Sequence, residues 1–209
     1  MEYNLHHLFP TAVITSSNDN FNLTNREEKV ILEHKFEDDN NYHNCHTSKN
    51  GRILEDRRLK RLKNHCQKYL NLYAKEIMKC DNKIQITNSW GNYSFTGNSH
   101  NLHRHSNSIL SGIYYVYCNN SVPFLQFENQ TSRYFLEYKI KEHNLFNSTT
   151  YQINLKDEMV VIFPSHLWHS VPKNTSKNWR ISVSFNSFLL GEIDNYGYEQ
   201  LKIKSANHV

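Results

Sequence analysis

The apolar positions of this chain change their spacing once, and the change divides it. Between Glu55 and Lys79, the residues Leu59, Leu62, Cys66, Tyr69, Leu70, Tyr73 and Ile77 recur at steps of three and four. That period lays one apolar stripe along a helix, so a helix with one buried face is predicted here, ending near Cys80-Asp81-Asn82. From residue 83 the texture turns to short β-branched and aromatic runs separated by Asn, Ser, Pro and Gly. These predict strands over 84–95, 109–118, 123–128, 133–140, 150–155, 158–163, 167–172 and 179–188. Residues 1–55 are polar and irregular, with an apolar opening at Leu8-Phe9-Pro10 and a weakly amphipathic stretch near 29–36.

Many short strands behind a helix predict a mostly β fold with N-terminal helices, an α+β arrangement in which the helix packs across one sheet. A cupin-like jelly roll is the economical form, because two facing sheets bury the aromatic and branched residues and leave an open mouth between them. A length of 209 residues suits a single domain with its own core. Within it, 1–82 would be a helical and irregular support, 83–190 the strand core, and 191–209 an extension with a short edge element.

Composition narrows the function more than the fold. The 13 Tyr and 11 Phe supply core volume despite an apolar fraction of 38%. The 28 Asn, with few Gly or Pro, read as the bias of AT-rich coding sequence. It also makes the Asn-x-Ser/Thr sequons at Asn22 and Asn147 matters of chance. A net charge of +4 is mild, and its densest run, Arg57 to Lys63, lies on the helical pattern rather than on a basic stripe with interleaved aromatics. Nucleic acid is therefore not the expected partner. Cys45, Cys66, Cys80 and Cys118 form no C-x-x-C pair, which argues against a zinc ribbon or a disulfide framework and for a reducing compartment. Neither a signal-peptide start nor a membrane-spanning run is legible, so a cytoplasmic protein with no membrane partner is expected.

The first chemistry appears at Ser99-His100-Asn101-Leu102-His103-Arg104-His105-Ser106. In extended backbone, residues two apart share a face, so His103 and His105 can aim inward while Arg104 faces out. Imidazole suits several divalent metals, and among 13 His one such pair arises easily by accident. A second patch strengthens it: the buried-strand pattern Met159 to Pro164 runs into Ser165-His166-Leu167-Trp168-His169. Then Trp179-Arg180-Ile181-Ser182-Val183-Ser184-Phe185 alternates cleanly. If Ile181, Val183 and Phe185 face the helix layer, Arg180 and Ser182 point into the barrel. A buried arginine needs an anion, and no acid stands on its own face, so a ligand carboxylate is the natural partner.

These residues carry a resemblance. Asn88-Ser89-Trp90-Gly91-Asn92, His103-Arg104-His105, Ser111-Gly112-Ile113-Tyr114-Tyr115, Phe163-Pro164-Ser165-His166-Leu167-Trp168-His169 and Arg180 through Asn186 follow in order over about residues 84–188. In this the chain resembles the 2-oxoglutarate/iron(II)-dependent oxygenase superfamily, and within it a bacterial and phage branch with an H-x-H…H…R pattern. The resemblance implies a double-stranded β-helix core, Fe(II) as metal, 2-oxoglutarate as cosubstrate and dioxygen as oxidant. A viral protein acting in the host cytoplasm is equally compatible with it.

Carried over by position, the resemblance makes His103 and His169 iron ligands. His105 falls where most members carry Asp or Glu. It is read as the third ligand, and the other reading is a pocket histidine beside a water-filled position. Arg180 would pair with the distal carboxylate of 2-oxoglutarate, assisted by Ser182 and by Tyr115, with Asn92 and Trp90 on a strand near the pocket. Each has a plainer reading: Tyr115 as core, Ser182 as a small inward residue, Trp90 and Trp168 as packing. His166 shares the outward parity of Trp168, and His100 is expected in a loop. The implied reaction is hydroxylation of an amino-acid, peptide or protein side chain with release of succinate and CO2, in preference to halogenation. Two rivals stand: a three-histidine cupin dioxygenase without 2-oxoglutarate, and a non-enzymatic metal-binding jelly roll. Residues 1–55 and the loops 96–101 and 129–149 would frame the pocket mouth.

Overall fold

The structure is a computed structural model that describes residues 1–17, 20–34, 36–38 (backbone only), 44–118, 124–129, 139–193, 197 and 200–204. The strands are β1 (Ile14–Thr15), β2 (Phe36–Asp38), β3 (His46–Ser48), β4 (Lys83–Ser94), β5 (His100–His103) and β6 (Leu110–Tyr117). They continue with β7 (Phe124–Glu128), β8 (Thr150–Asn154), β9 (Val160–Pro164), β10 (Trp168–Val171), β11 (Arg180–Ile193) and β12 (Leu201–Ile203). Two α-helices, α1 (Asn25–Glu33) and α2 (Lys60–Tyr73), precede β4.

The strands form two antiparallel sheets. The larger runs β1-β9-β6-β11-β4-β3-β2, with β12 paired to the far end of β11, and the smaller runs β5-β10-β7-β8. This is the expected double-stranded β-helix. The expected strand at 133–140 lies outside the described residues except for 139–140, which are not in a strand.

The predicted helix is present in three parts. A short 3-10 stretch, Arg57–Leu59, leads into α2, and a π-turn over Ala74–Met78 ends at Lys79 in left-handed conformation (φ 51°). The periodic positions Leu62, Cys66, Tyr69, Leu70 and Tyr73 are buried and pack with Ile84, Ile86, Tyr114, Val183 and Phe185 of the large sheet. Burial of a leucine such as Leu62 or Leu70 contributes about 1.5–3 kcal/mol, which outweighs the weak propensity of this Asn- and Tyr-containing helix.

The first 55 residues are more ordered than their polarity suggested. Helix α1 starts at residue 25, four residues before the amphipathic stretch, because Thr24 and Glu27 form a capping box: Glu27 N donates to Thr24 Oγ1 at 3.2 Å and Thr24 N to Glu27 Oε2 at 2.9 Å. The same Glu27 carboxylate takes Arg61 Nη1 of α2 at 2.7 Å and so ties the two helices. Three short strands from this region, β1, β2 and β3, extend both edges of the large sheet. Their polar sequence hides them, since an edge strand of two or three residues carries no readable alternation.

Strand β11 is the axis of the fold. Ile181, Val183 and Phe185 face the helix-side core, as their alternation predicts, while Arg180, Ser182 and Ser184 face the space between the sheets. Phe185 lies directly over Gly112 of β6, where an added Cβ would collide with its ring. The Ser111-Gly112 pair is thus a packing requirement, not a flexible turn.

Candidate metal centre and its pocket

Strands β5 and β10 pair antiparallel with His103 opposite His169. Opposed residues in a ladder project to the same side, so this register alone brings together two histidines far apart in sequence. His105 lies just past the end of β5, anchored by its backbone N–H to Ser165 O at 3.0 Å. The three imidazoles then face one another. Ring centroids stand 4.2 Å apart for His103–His169, 5.0 Å for His105–His169 and 5.3 Å for His103–His105. One nitrogen from each lies within 4.8 Å of the others, and this is the metal-capable cluster found among the described residues.

The hydrogen bonds decide which nitrogens would face a metal. His103 Nδ1 lies 2.7 Å from Asn101 O, and His169 Nδ1 lies 2.9 Å from Leu167 O. A carbonyl oxygen only accepts, so each Nδ1 carries a hydrogen, and in the neutral ring the lone pair is on Nε2. For His105, Nδ1 lies 2.7 Å from both Ser111 Oγ and Asn186 Oδ1, and its Nε2 lies 3.3 Å from His103 Nε2. Three neutral imidazoles oriented by Nδ1 form a donor set suited to a divalent first-row metal. They bring no negative charge to it.

The cluster opens into a cavity of about 630 Å³ lined by Trp90, Asn92, Tyr115, Arg180, Ser182 and Ser184 from the large sheet. Arg180 is only 5% exposed, and its guanidinium reaches Pro172 O and Ser94 Oγ at 3.4 Å, all neutral acceptors at long range. No carboxylate pairs with it among the described residues. Burial accordingly pulls its pKa down, opposed by Tyr115, Cys118 and Cys45. Tyr115 is 2% exposed and its hydroxyl has no hydrogen-bond partner among the described residues. Burial first, then Cys118, hold that phenol well above its ordinary pKa, while Arg180 acts in the opposite sense. An uncompensated guanidinium and an unpartnered hydroxyl in one cavity are the complement of a carboxylate.

The remaining expected residues divide cleanly. Ser182 lines the cavity, Asn92 lines it while donating Nδ2–H to Ser184 Oγ at 2.8 Å, and the Trp90 ring stands 5.6 Å from that of His105. His166 is exposed and Trp168 lies on the outer side, where the Arg104 guanidinium stacks 5.5 Å from its ring. His100 is a correction: it is in β5, not a loop, it lines the cavity, and its Nε2 lies 2.9 Å from Cys45 Sγ. Thr47 and Ser48 of β3 line the cavity as well. Nothing local in the sequence marks His100, Thr47 or Ser48, because only sheet pairing carries them there.

The double-stranded β-helix thus holds three inward histidines that could take a metal at one end, and a buried arginine along one strand. Residues 88–186 match the family described as "Putative 2OG-Fe(II) oxygenase". The matched stretch is the strand core, from β4 through most of β11. No curated protein matches the chain by sequence. Solved structures share its fold at low identity. The non-heme alpha ketoglutarate dependent carbocyclase SnoK from nogalamycin biosynthesis has a TM-score of 0.60 and 11% identity, over 87% of this chain and 81% of that one. HygX from Streptomyces hygroscopicus, with nickel and 2-oxoglutarate bound, has a TM-score of 0.58 and 8% identity, over 85% and 82%. An oxidoreductase of the 2OG-Fe(II) oxygenase family from Burkholderia pseudomallei has a TM-score of 0.51 and 10% identity, over 78% and 75%. Among the described residues no helix is long and apolar enough to cross a membrane.

Proposed function

We propose that this chain is an iron(II)- and 2-oxoglutarate-dependent dioxygenase that hydroxylates a C–H bond, with His103, His105 and His169 holding the metal. The observation that carries the reading is Arg180: a buried guanidinium that no acid meets among the described residues, in the same cavity as the triad. Arg180 takes the distal carboxylate of 2-oxoglutarate, Tyr115 donates its hydroxyl hydrogen to it, and Ser182 and Asn92 complete the polar wall. The pull on Arg180 and Tyr115 favours a dianionic keto acid over a neutral ligand of the same shape.

Iron with 2-oxoglutarate supplies the oxidising power, so that R–H, O2 and 2-oxoglutarate give R–OH, succinate and CO2. The chain's own share is geometry and exclusion of water. Arg180 fixes the length and direction of the cosubstrate, and the Nδ1 hydrogen bonds fix the direction of each imidazole. Phe163 and Phe127 pack against His169, with ring centroids at 4.8 and 6.1 Å, and close the inner side. Asn101 and Leu102 are exposed and mark the open side, where an amino-acid, peptide or protein side chain enters. HygX has hygromycin B bound in one of its structures, so the same fold also admits a small molecule in that relative.

The test is direct. Protein reconstituted with Fe(II) and given 2-oxoglutarate and dioxygen is expected to release succinate, and His169→Ala is expected to release none. Iron bound without any succinate or any calorimetric binding of 2-oxoglutarate refutes the reading. A tightly held zinc that iron does not replace would identify a structural metal site instead.

A further inference from the structure

Three polar residues of the sequence motifs gather behind His105: Ser111, Ser165 and Asn186. They come from β6, from the turn after β9 and from β11; Ser111 and Asn186 meet at one nitrogen, and Ser165 stands behind Ser111. Ser111 and Ser165 are fully buried and Asn186 is 7% exposed. Asn186 continues the Arg180-Ser182-Ser184 face, pairs with Ser111 across the ladder, and sits just before the register shift that interrupts the β11–β4 pairing.

The three metal-facing histidines are not held alike. His103 and His169 each hydrogen-bond the carbonyl two residues earlier, a contact that no side-chain substitution removes. His105 lies beyond the strand end and depends on side chains. Its Nδ1 meets Asn186 Oδ1 and Ser111 Oγ, and Ser111 Oγ lies 2.8 Å from both Asn186 Oδ1 and Ser165 Oγ. Ser165 donates to Ser108 Oγ at 2.7 Å, and Ser108 reaches the carbonyls of Leu110 at 3.0 Å and Ser187 at 3.2 Å.

The protons can be counted along this chain. It ends on carbonyl oxygens, so the hydroxyl hydrogens of Ser108 and Ser165 point away from His105. Asn186 Oδ1 accepts only, so an imidazole nitrogen 2.7 Å from it must carry a hydrogen. His105 therefore carries a hydrogen on Nδ1, and its Nε2 is turned toward His103.

We propose that Asn186 is a positioning residue for the metal site, selecting the Nδ1–H tautomer of His105, with Ser111, Ser165 and Ser108 as its buttress. The inference rests on the reading that His105 is a metal ligand. It explains why this position is an amide: a neutral acceptor orients His105 without adding charge. It also accounts for Ser111, Ser165 and Asn186 appearing together in the motifs that flank the histidines.

The experiment measures Ni(II) affinity of the full chain by chelator competition, for wild type, His105→Ala, Asn186→Ala and Asn186→Asp. Circular dichroism monitors the fold. Loss of an outer hydrogen-bond partner of a metal-bound histidine costs about ten- to a hundred-fold in metal affinity. Asn186→Ala is expected to lose that much, and Asn186→Asp, also an acceptor, to restore binding to within a few-fold. Wild-type affinity in Asn186→Ala, with loss in His105→Ala, overturns the positioning role alone. Wild-type affinity in His105→Ala overturns the three-histidine reading beneath it. The imidazole ¹⁵N spectrum of metal-free wild type needs no variant: a hydrogen on Nδ1 of His105 is expected, and a hydrogen on Nε2 overturns the proposal.

Discussion

Replacing Arg180 with methionine should move stability and ligand binding in opposite directions. The guanidinium is 5% exposed and is met by Pro172 O and Ser94 Oγ at 3.4 Å, contacts too long to repay its desolvation. Replacing a poorly compensated buried charge by an apolar group of similar length is often neutral or stabilising by about 1–4 kcal/mol. The lower end fits here, because the cavity still admits water. In a domain of this size about 1 kcal/mol corresponds to roughly 2–4 °C in Tm. Binding goes the other way. A guanidinium and a carboxylate about 4 Å apart attract by about 4 kcal/mol at an effective dielectric of about 20. Water recovers part of this in the variant, leaving a loss of about 2–4 kcal/mol, or roughly thirty- to a thousand-fold in Kd. Thermal melts of metal-free protein and calorimetry of 2-oxoglutarate into Ni(II)-loaded protein read the two effects separately. An unchanged Kd would show that the carboxylate lies elsewhere. A destabilisation above about 2 kcal/mol would make Arg180 structural, contrary to its contacts.

Tyr115→Phe should leave stability unchanged or slightly raised, since the hydroxyl it removes is buried without a partner among the described residues. It should weaken 2-oxoglutarate by about 1.5–3 kcal/mol, the range for a hydrogen bond to a charged group, and equal affinity in the variant would return Tyr115 to a packing role. The acid limb of stability should carry a contribution from Asp56, whose carboxyl is held below its ordinary pKa chiefly by side-chain hydrogen bonds from Arg58 Nε at 3.1 Å and Nη2 at 2.8 Å. A depressed folded pKa means stability that is present above the unfolded value of about 3.9 and lost as pH falls through the folded one. Asp56→Asn should therefore cost about 0.5–1 kcal/mol near neutrality and nothing in strong acid; a cost constant between those limits would point to the cap on Arg58 N at 2.9 Å instead of the charge.

Much of the site was legible because its parts are local. The H-x-H spacing puts His103 and His105 on one face by backbone geometry alone, and the alternation of β11 separates Ile181, Val183 and Phe185 from Arg180, Ser182 and Ser184. The helix over α2 was legible from its apolar stripe. The short strands β1, β2, β3 and β5 were not, since two to four residues carry no period and are ordered by the neighbours they pair with. His100 was misplaced for that reason.

By itself, then, the sequence determined the residue types of the candidate centre, the face each occupies on its own strand, and the lack of an acid on the strand face of Arg180. Those follow from strand and helix periods and from the cost of burying a charge, which act over a few residues. Only the tertiary structure decided that His169 stands opposite His103 and that Thr47, Ser48 and His100 join the cavity. It alone decided that Asn186 and Ser111 meet His105 Nδ1, with Ser165 and Ser108 behind them. These depend on strand register and on closure of one sheet over the other, where the energy is collective and no local pattern records it.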